Sequence, residues 1–245
     1  MRILISNDDG IFAPGIAALV QAFAAAGHEV YVSAPDAQRS AASHSMTLTM
    51  PLRAQEVALP GAARAWAVSG TPVDCVKLAL NCLCPQVEAV ISGVNHGYNA
   101  GTDVLYSGTV AAAMEGALYG LPAMAVSLKH SREDTYALAA GLAAELFPRL
   151  MAHPLPPRTL LNVNYPGTDE ALGVKAAPVK AIRYDERYTL TDEGYVLRGS
   201  ISTDMPEGDD DYTWLERGFA TVTALGYDLT DHGATNAWKR ILDRE

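Results

Sequence analysis

A chain of 245 residues with 49% hydrophobic side chains is long enough to bury one large core, and a formal net charge of −10 works against binding a nucleic acid polymer. No run approaches the ~20 apolar residues of a membrane span, so no membrane partner is expected. The N-terminal apolar run is too short for a secretory leader, and a cytoplasmic protein is the expectation.

Arg2–Ser6 (RILIS) is a short apolar run that stops at polar residues and a glycine, as a strand buried on both faces does. In the following segment Ile16, Leu19, Val20 and Phe23 recur at i, i+3, i+4 and i+7. That spacing predicts an amphipathic helix, with Gly27 at its C-terminal cap. Glu29–Pro35 (EVYVSAP) reads as a second strand and completes a right-handed βαβ unit. After a less regular stretch the alternation resumes. Strands are predicted at Ala65–Ser69, Ala89–Ser92, Ala123–Leu128 and Thr159–Val163. Helices are predicted at Val73–Leu83, Thr109–Tyr119 and Asp134–Leu150, the last with Leu138, Leu142, Leu146 and Leu150 stacked every four residues.

This order predicts an α/β, Rossmann-like core over residues 1–165, a mostly parallel sheet sandwiched by helices. Beyond Tyr165 the texture changes. Lys180–Tyr184 (KAIRY) and Glu193–Ser200 (EGYVLRGS), separated by polar turns, predict a C-terminal β-hairpin appendage. Residues 166–245 are too thinly apolar to fold alone, and are expected to pack on the core or on a neighbouring subunit. Glu207 and Asp209–Asp211 form an acidic run expected to be a solvated loop. Cys75, Cys82 and Cys84 lack metal-site spacing and are expected to be buried thiols.

Ligands of an open α/β sheet bind outside the carboxyl ends of its strands, which directs attention to three loops. The first is SNDDG. Asp8 and Asp9 would point to opposite faces of a straight strand, and Gly10 supplies the turn that brings them together. Two converging carboxylates repel each other unless a cation sits between them, and oxygen ligands suit Mg²⁺, Mn²⁺ or Ca²⁺ better than zinc. The competing role for one of them is capping the helix near Gly15. The second loop, APDAQRSAASHSMT, offers hydroxyl ligands at Ser40, Ser43 and Ser45, and anion donors at Arg39 and His44.

The third loop, SGVNHGYNAGTDVLYSGT, spaces Gly93, Gly97 and Gly101 by four, with Asn95 and Asn99 between them. It runs through Ser107, a predicted N-cap, into a helix whose free N–H groups make a phosphate seat. Gly70-Thr71-Pro72-Val73-Asp74 reads as helix-start chemistry alone, with Thr71 as cap and Asp74 as its capping-box partner. An oxygen-ligand metal site beside a phosphate seat is the apparatus of metal-assisted phosphate-ester hydrolysis.

NDDG, APD…S…HS-x-T-L-T, GTP-x-DCV, SG-x-N-x-G-x-N-x-G and YSGT-x-x-A-A-M-E-G occur in this order over most of residues 1–130. Together they resemble the SurE family of stationary-phase survival proteins. The resemblance implies a phosphatase acting on 5′- and 3′-nucleoside monophosphates, and sometimes on short polyphosphate. It implies one divalent cation per subunit, Mg²⁺ or Mn²⁺, on Asp8, Asp9, Ser40 and Asn95. It also implies catalytic roles for Asp8 and Asp9, and phosphate contacts near Asn7, Asn99, Ser107, Gly108 and Thr109. Similar proteins are homodimers or homotetramers that exchange the C-terminal hairpin. Two departures stand out: Ala41-Ala42 where the family often has a glycine, and Thr223-Ala224-Leu225 in place of a usual Thr-Pro-Leu. The competing reading is a metal-dependent nucleotide-binding or sensing module without turnover.

Overall fold

The computed structural model describes residues 1–129, 135–202 and 204–243. In chain order its strands are β1 (Arg2–Ser6), β2 (Glu29–Pro35), β3 (Ala54–Val57), β4 (Arg64–Val68), β5 (Ala89–His96), β6 (Ala123–Leu128) and β7 (Thr159–Tyr165). There follow β8 (Val174–Ala176), β9 (Tyr184–Thr191), β10 (Gly194–Ile201) and β11 (Ala220–Gly226). The helices are α1 (Pro14–Ala25), α2 (Pro72–Leu78), α3 (Gly108–Leu118), α4 (Thr135–Ala152), α5 (Asp211–Glu216) and α6 (His232–Leu242).

Among the described residues, nine strands form one sheet in the order β3-β4-β2-β1-β5-β6-β7-β11-β8, and β9 pairs with β10 in a separate hairpin. The five strands from β4 to β6 and their neighbour β7 are parallel; β3, β11 and β8 run against them. The fold is therefore Rossmann-like, as expected. β1 is central, so Ile3 and Ile5 pack into one layer with Phe23 of α1 and Phe147 of α4. Leu4 packs into the opposite layer with Trp66, Val76 and Ala112. Burial of both faces explains why RILIS reads as a continuous apolar run rather than an alternating one.

In α1 the buried positions include Ile16, Leu19, Val20 and Phe23, the stripe read from the sequence. α4 differs. Its predicted start at Asp134 lies outside the described residues. Its buried face is Tyr136, Ala139, Ala140, Ala143, Leu146, Phe147 and Leu150, while Leu138 is 39% exposed. A step of four residues overshoots a helical turn by about 40°, so three steps carry the leucine column about 120° around the helix and out of the core.

The C-terminal extension does more than append a hairpin. β11 pairs antiparallel with β7, and β8 pairs parallel with β11, so both extend the central sheet. KAIRY is not a strand before Tyr184. Its Lys180 Nζ donates to Pro206 O (2.9 Å), Asp210 Oδ2 (3.1 Å) and Thr213 Oγ1 (2.9 Å), which holds the segment irregular.

The acidic run is a solvated loop only in part: Glu207 and Asp209 are exposed, as expected, but the last two residues are not. Asp210 caps α5 by accepting from Thr213 N at 2.7 Å, and Asp211 is fully buried. Asp211 accepts backbone N–H bonds from Gly101 (2.8 Å), Lys180 (2.9 Å) and Tyr212 (2.7 Å). Burial raises its pKa even against those three donors. A carboxylate with several backbone donors satisfies itself without water, which is why charge content alone misplaced it.

Cys75 and Cys84 are buried as expected, but Cys82 is exposed. Burial holds the Cys75 thiol well above its usual range and pushes Cys84 up to about 12. In the native protein a thiol-specific reagent is expected to titrate one thiol quickly, Cys82, and the other two only on unfolding. Two fast thiols would contradict this packing. No described helix is long and apolar enough to cross a membrane.

Candidate active site

The turn after β1 is built by Asn7. Its Nδ2 donates to Gly10 O at 2.8 Å and its Oδ1 accepts from Gly10 N at 3.2 Å, with Gly10 at φ +104°. After the turn the two aspartates take different partners. Asp8 is buried, accepts from the Thr109 hydroxyl of α3, and receives Arg39 N on its backbone oxygen at 2.7 Å. Asp9 is half-buried and reaches the other two loops: Oδ2 accepts from His96 N (3.2 Å), Oδ1 from Gln38 Nε2 (3.4 Å). Burial pushes the Asp8 pKa up to about 6, opposed by the Thr109 hydrogen bond and assisted by the charge on Asp9.

The second loop is pinned at several points. Gln38 Nε2 donates to Ser40 Oγ at 2.9 Å, so one amide group bridges Ser40 and Asp9. Ser43 N donates to Tyr106 O (3.0 Å) and Ser43 Oγ to Leu105 O (2.7 Å), tying this loop to the third. Thr71 and Asp74 form the predicted capping box of α2. The same Asp74 accepts from Thr47 N (2.9 Å) and Thr47 Oγ1 (2.7 Å), and Thr71 Oγ1 donates to Ser45 O (2.8 Å). The capping box is thus also the loop's anchor. Ala41 sits at φ +54°, the left-handed region that favours glycine.

The third loop begins inside β5, where the pairing with β6 shifts register between Ser92 and Asn95. Asn95 Nδ2 donates to Gly97 O at 2.9 Å, which commits the amide nitrogen and leaves the oxygen available to a ligand. Asn99 is buried at a hub of amides. Its N–H donates to Asn164 Oδ1 (2.9 Å), its carbonyl accepts from Asn162 (2.8 Å) and Asn164 (3.1 Å), and its side chain donates to Ser127 Oγ (2.8 Å). Ser107 caps α3 as predicted, accepting from Val110 N at 3.0 Å. Gly108 packs so closely on Asp8 that a Cβ there would meet Asp8 Cβ at 2.9 Å.

The structure therefore gathers Asp8 with Gly108 and Thr109, and Asp9 with Ser40 through Gln38. Asn95 lies next to His96, whose N–H is on Asp9. Asn7 and Asn99 enter as builders of the loops, their side chains bonded to Gly10 and Ser127. Gln38, Glu115 and the pair Asn162 and Asn164 escaped the sequence reading. The asparagines carried a signal: in TLLNVNY they are two apart, so both point to one face of an otherwise apolar strand. Among the described residues no group of three or more His, Cys, Asp or Glu could hold a metal ion. A cation at this rim would thus bind two carboxylates and neutral oxygens, the donor set that suits a hard divalent ion. Beside Ser107 opens a largely apolar cavity of about 700 Å³, bordered by Ser43, His44, Leu105, Val110, Met114 and Tyr227.

The profile of the family described as Survival protein SurE matches residues 3–186. A Synechococcus elongatus protein named 5′-nucleotidase SurE is 44% identical over 250 residues, covering 96% of each chain. One of the same name from Desulforudis audaxviator is 41% identical, covering 98% of this chain and 97% of its own. The crystal structure of the SurE protein from Aquifex aeolicus superposes with a TM-score of 0.86 at 32% identity, covering 98% of this chain and 99% of that one. With its profile, its relatives and its fold in agreement over nearly the whole length, this chain belongs to the SurE family.

Proposed function

We propose that the chain is a divalent-metal-dependent phosphomonoesterase that hydrolyses nucleoside monophosphates to nucleoside and phosphate. The observation that carries this reading is the meeting of Asp8 with the N-terminus of α3 through Gly108 and Thr109. It sets an acidic edge against a helix start, whose N–H groups and positive dipole end favour anions. The relatives named 5′-nucleotidase support the substrate class.

In this reading Asp8, Asp9, Ser40 and Asn95 hold one Mg²⁺ or Mn²⁺ per subunit. A bound divalent ion supplies Lewis acidity and neutralises phosphoryl charge. Ser107, Gly108 and Thr109 hold the phosphate oxygens, with Asn7 and Asn99 fixing the loops beneath them. Asp8 manages the proton of the attacking water. The alternative use of Asp8, as a phosphorylated nucleophile, is decided by trapping an aspartyl-phosphate.

The reading extends to homodimers or homotetramers in the cytoplasm. Solvent-facing apolar side chains on the hairpin (Tyr188, Leu190, Tyr195) and on α6 (Trp238, Ile241, Leu242) support self-association. The buried free thiols Cys75 and Cys84 suit a reducing compartment.

The test is phosphate release from AMP with Mn²⁺, with and without EDTA, followed by a panel of 5′- and 3′-monophosphates and short polyphosphate. Release that falls at least about a hundredfold on chelation is expected. Tight AMP binding without turnover would favour a sensing module instead.

A further inference from the structure

Glu115 lies 3% exposed on α3, two turns beyond the phosphate seat, and the reading above gives it no task. One of its oxygens accepts from His44 Nε2 at 2.7 Å, the other from Lys77 Nζ of α2 at 3.2 Å. Burial alone would raise this carboxyl's pKa, yet the hydrogen bonds from His44 and Lys77 outweigh it and hold the group below its usual range. A buried carboxylate therefore grips one nitrogen of an imidazole whose side chain remains 39% exposed.

The position of that imidazole is specific. Ser43, its neighbour in the chain, is bonded to the carbonyls of Leu105 and Tyr106, immediately before the cap of α3. His44 and Ser107 border the same cavity. The carboxylate fixes the proton on Nε2 and leaves Nδ1 to take or give the second one, and among the described residues Nδ1 has no hydrogen-bond partner. A base oriented by a carboxylate, beside a phosphate seat, is the geometry of proton transfer.

We propose that His44, oriented by Glu115, is the general acid that protonates the leaving alkoxide of the nucleotide. The proposal rests on the phosphomonoesterase reading. Water adds its oxygen to phosphorus as the bond from phosphorus to the ribose oxygen breaks. That oxygen takes the Nδ1 proton of the His44 imidazolium and leaves as the nucleoside hydroxyl. The proton released by the attacking water passes through Asp8 to solvent, and solvent returns one to His44, so the net consumption is a single water. The charged groups that face the ring are Glu115 from α3 and, through the same carboxylate, Lys77 from α2.

An alkoxide leaves poorly without a proton, whereas p-nitrophenolate leaves readily, and this difference separates acid catalysis from a structural role. Wild type, His44→Gln and Glu115→Gln are assayed on AMP and on p-nitrophenyl phosphate with saturating Mn²⁺. His44→Gln is expected to lose about a hundredfold in kcat/KM on AMP and less than about fivefold on p-nitrophenyl phosphate. The retained aryl-ester activity also reports that the variant folds. Glu115→Gln is expected to lose activity on AMP while keeping most of it on p-nitrophenyl phosphate, the same split as His44→Gln but smaller, because the ring is no longer held in place. Equal losses on both esters in an active enzyme overturn the assignment of His44 alone. A wild type inert on both overturns the phosphatase reading and this assignment with it.

Discussion

Replacing Asp8 with asparagine is expected to abolish catalysis and, in the metal-free protein, to raise stability. The two effects have one origin. Asp8 is 5% exposed, and its carboxyl is pushed from 3.8 to about 6, first by burial and then by the charge on Asp9. A folded-state pKa raised above the unfolded value contributes stability that is present below about pH 4 and lost as pH rises through about 6. A shift of this size corresponds to roughly 3 kcal/mol at neutral pH. Asparagine keeps the Thr109 contact without the charge. The metal-free variant should therefore exceed wild type by roughly 2–3 kcal/mol in urea unfolding at pH 7.5, with the gap closing between pH 6 and pH 4. Its kcat/KM on AMP should fall by about a thousandfold or more, and Mn²⁺ should raise the Tm of wild type but not of the variant. A variant less stable than metal-free wild type at pH 7.5 would show that Asp8 is not strained by its own charge.

Gly93→Ala is expected to be the most damaging conservative change in the third loop. Gly93 adopts φ +127°, and a Cβ there would sit 2.1 Å from the Val126 carbonyl oxygen of β6. Backbone in the middle of a sheet cannot withdraw, so the β5–β6 pairing must open. The expected cost is about 4 kcal/mol or more, a fall in Tm of roughly 10 °C for a chain of this size. Because the register shift between Ser92 and Asn95 begins at this residue, Asn95, a proposed metal ligand, is displaced as well. Gly141→Ala, inside α4 with nothing within 4 Å, is the matched control. It is expected to stabilise by up to ~1 kcal/mol through helix propensity. A Gly93→Ala protein within about 1 kcal/mol of wild type would refute the close approach.

The parts of the fold that depend on neighbouring residues were legible from the chain. RILIS and the Ile16–Phe23 stripe name their own burial, and Ser107 and the Thr71–Asp74 box cap the helices they precede. The three loops of the site were legible because their residue types are unusual for plain connections. What escaped depends on partners far away in sequence. Asp211 meets Gly101 across 110 positions, and Glu115 meets His44 across 71. Neither pairing leaves a local pattern, so an acidic run looked solvated and a helix glutamate looked ordinary. The α4 leucines failed for the opposite reason. Their local regularity was real, but it followed a period of four instead of the helix's own 3.6.

The bonds from Asp211 to Gly101 and Lys180, with Tyr184 on Asp103 at 2.5 Å and Thr102 on Ile182 at 3.2 Å, carry a lesson for anyone redesigning this protein. A minimal catalyst cannot be obtained by cutting after β7. Such a truncation would strip the wall that braces the short turn ahead of the α3 cap, and would bare the β7 edge that β11 covers. The final third of the chain is a foundation for the candidate site, and an engineer must carry it along or rebuild it.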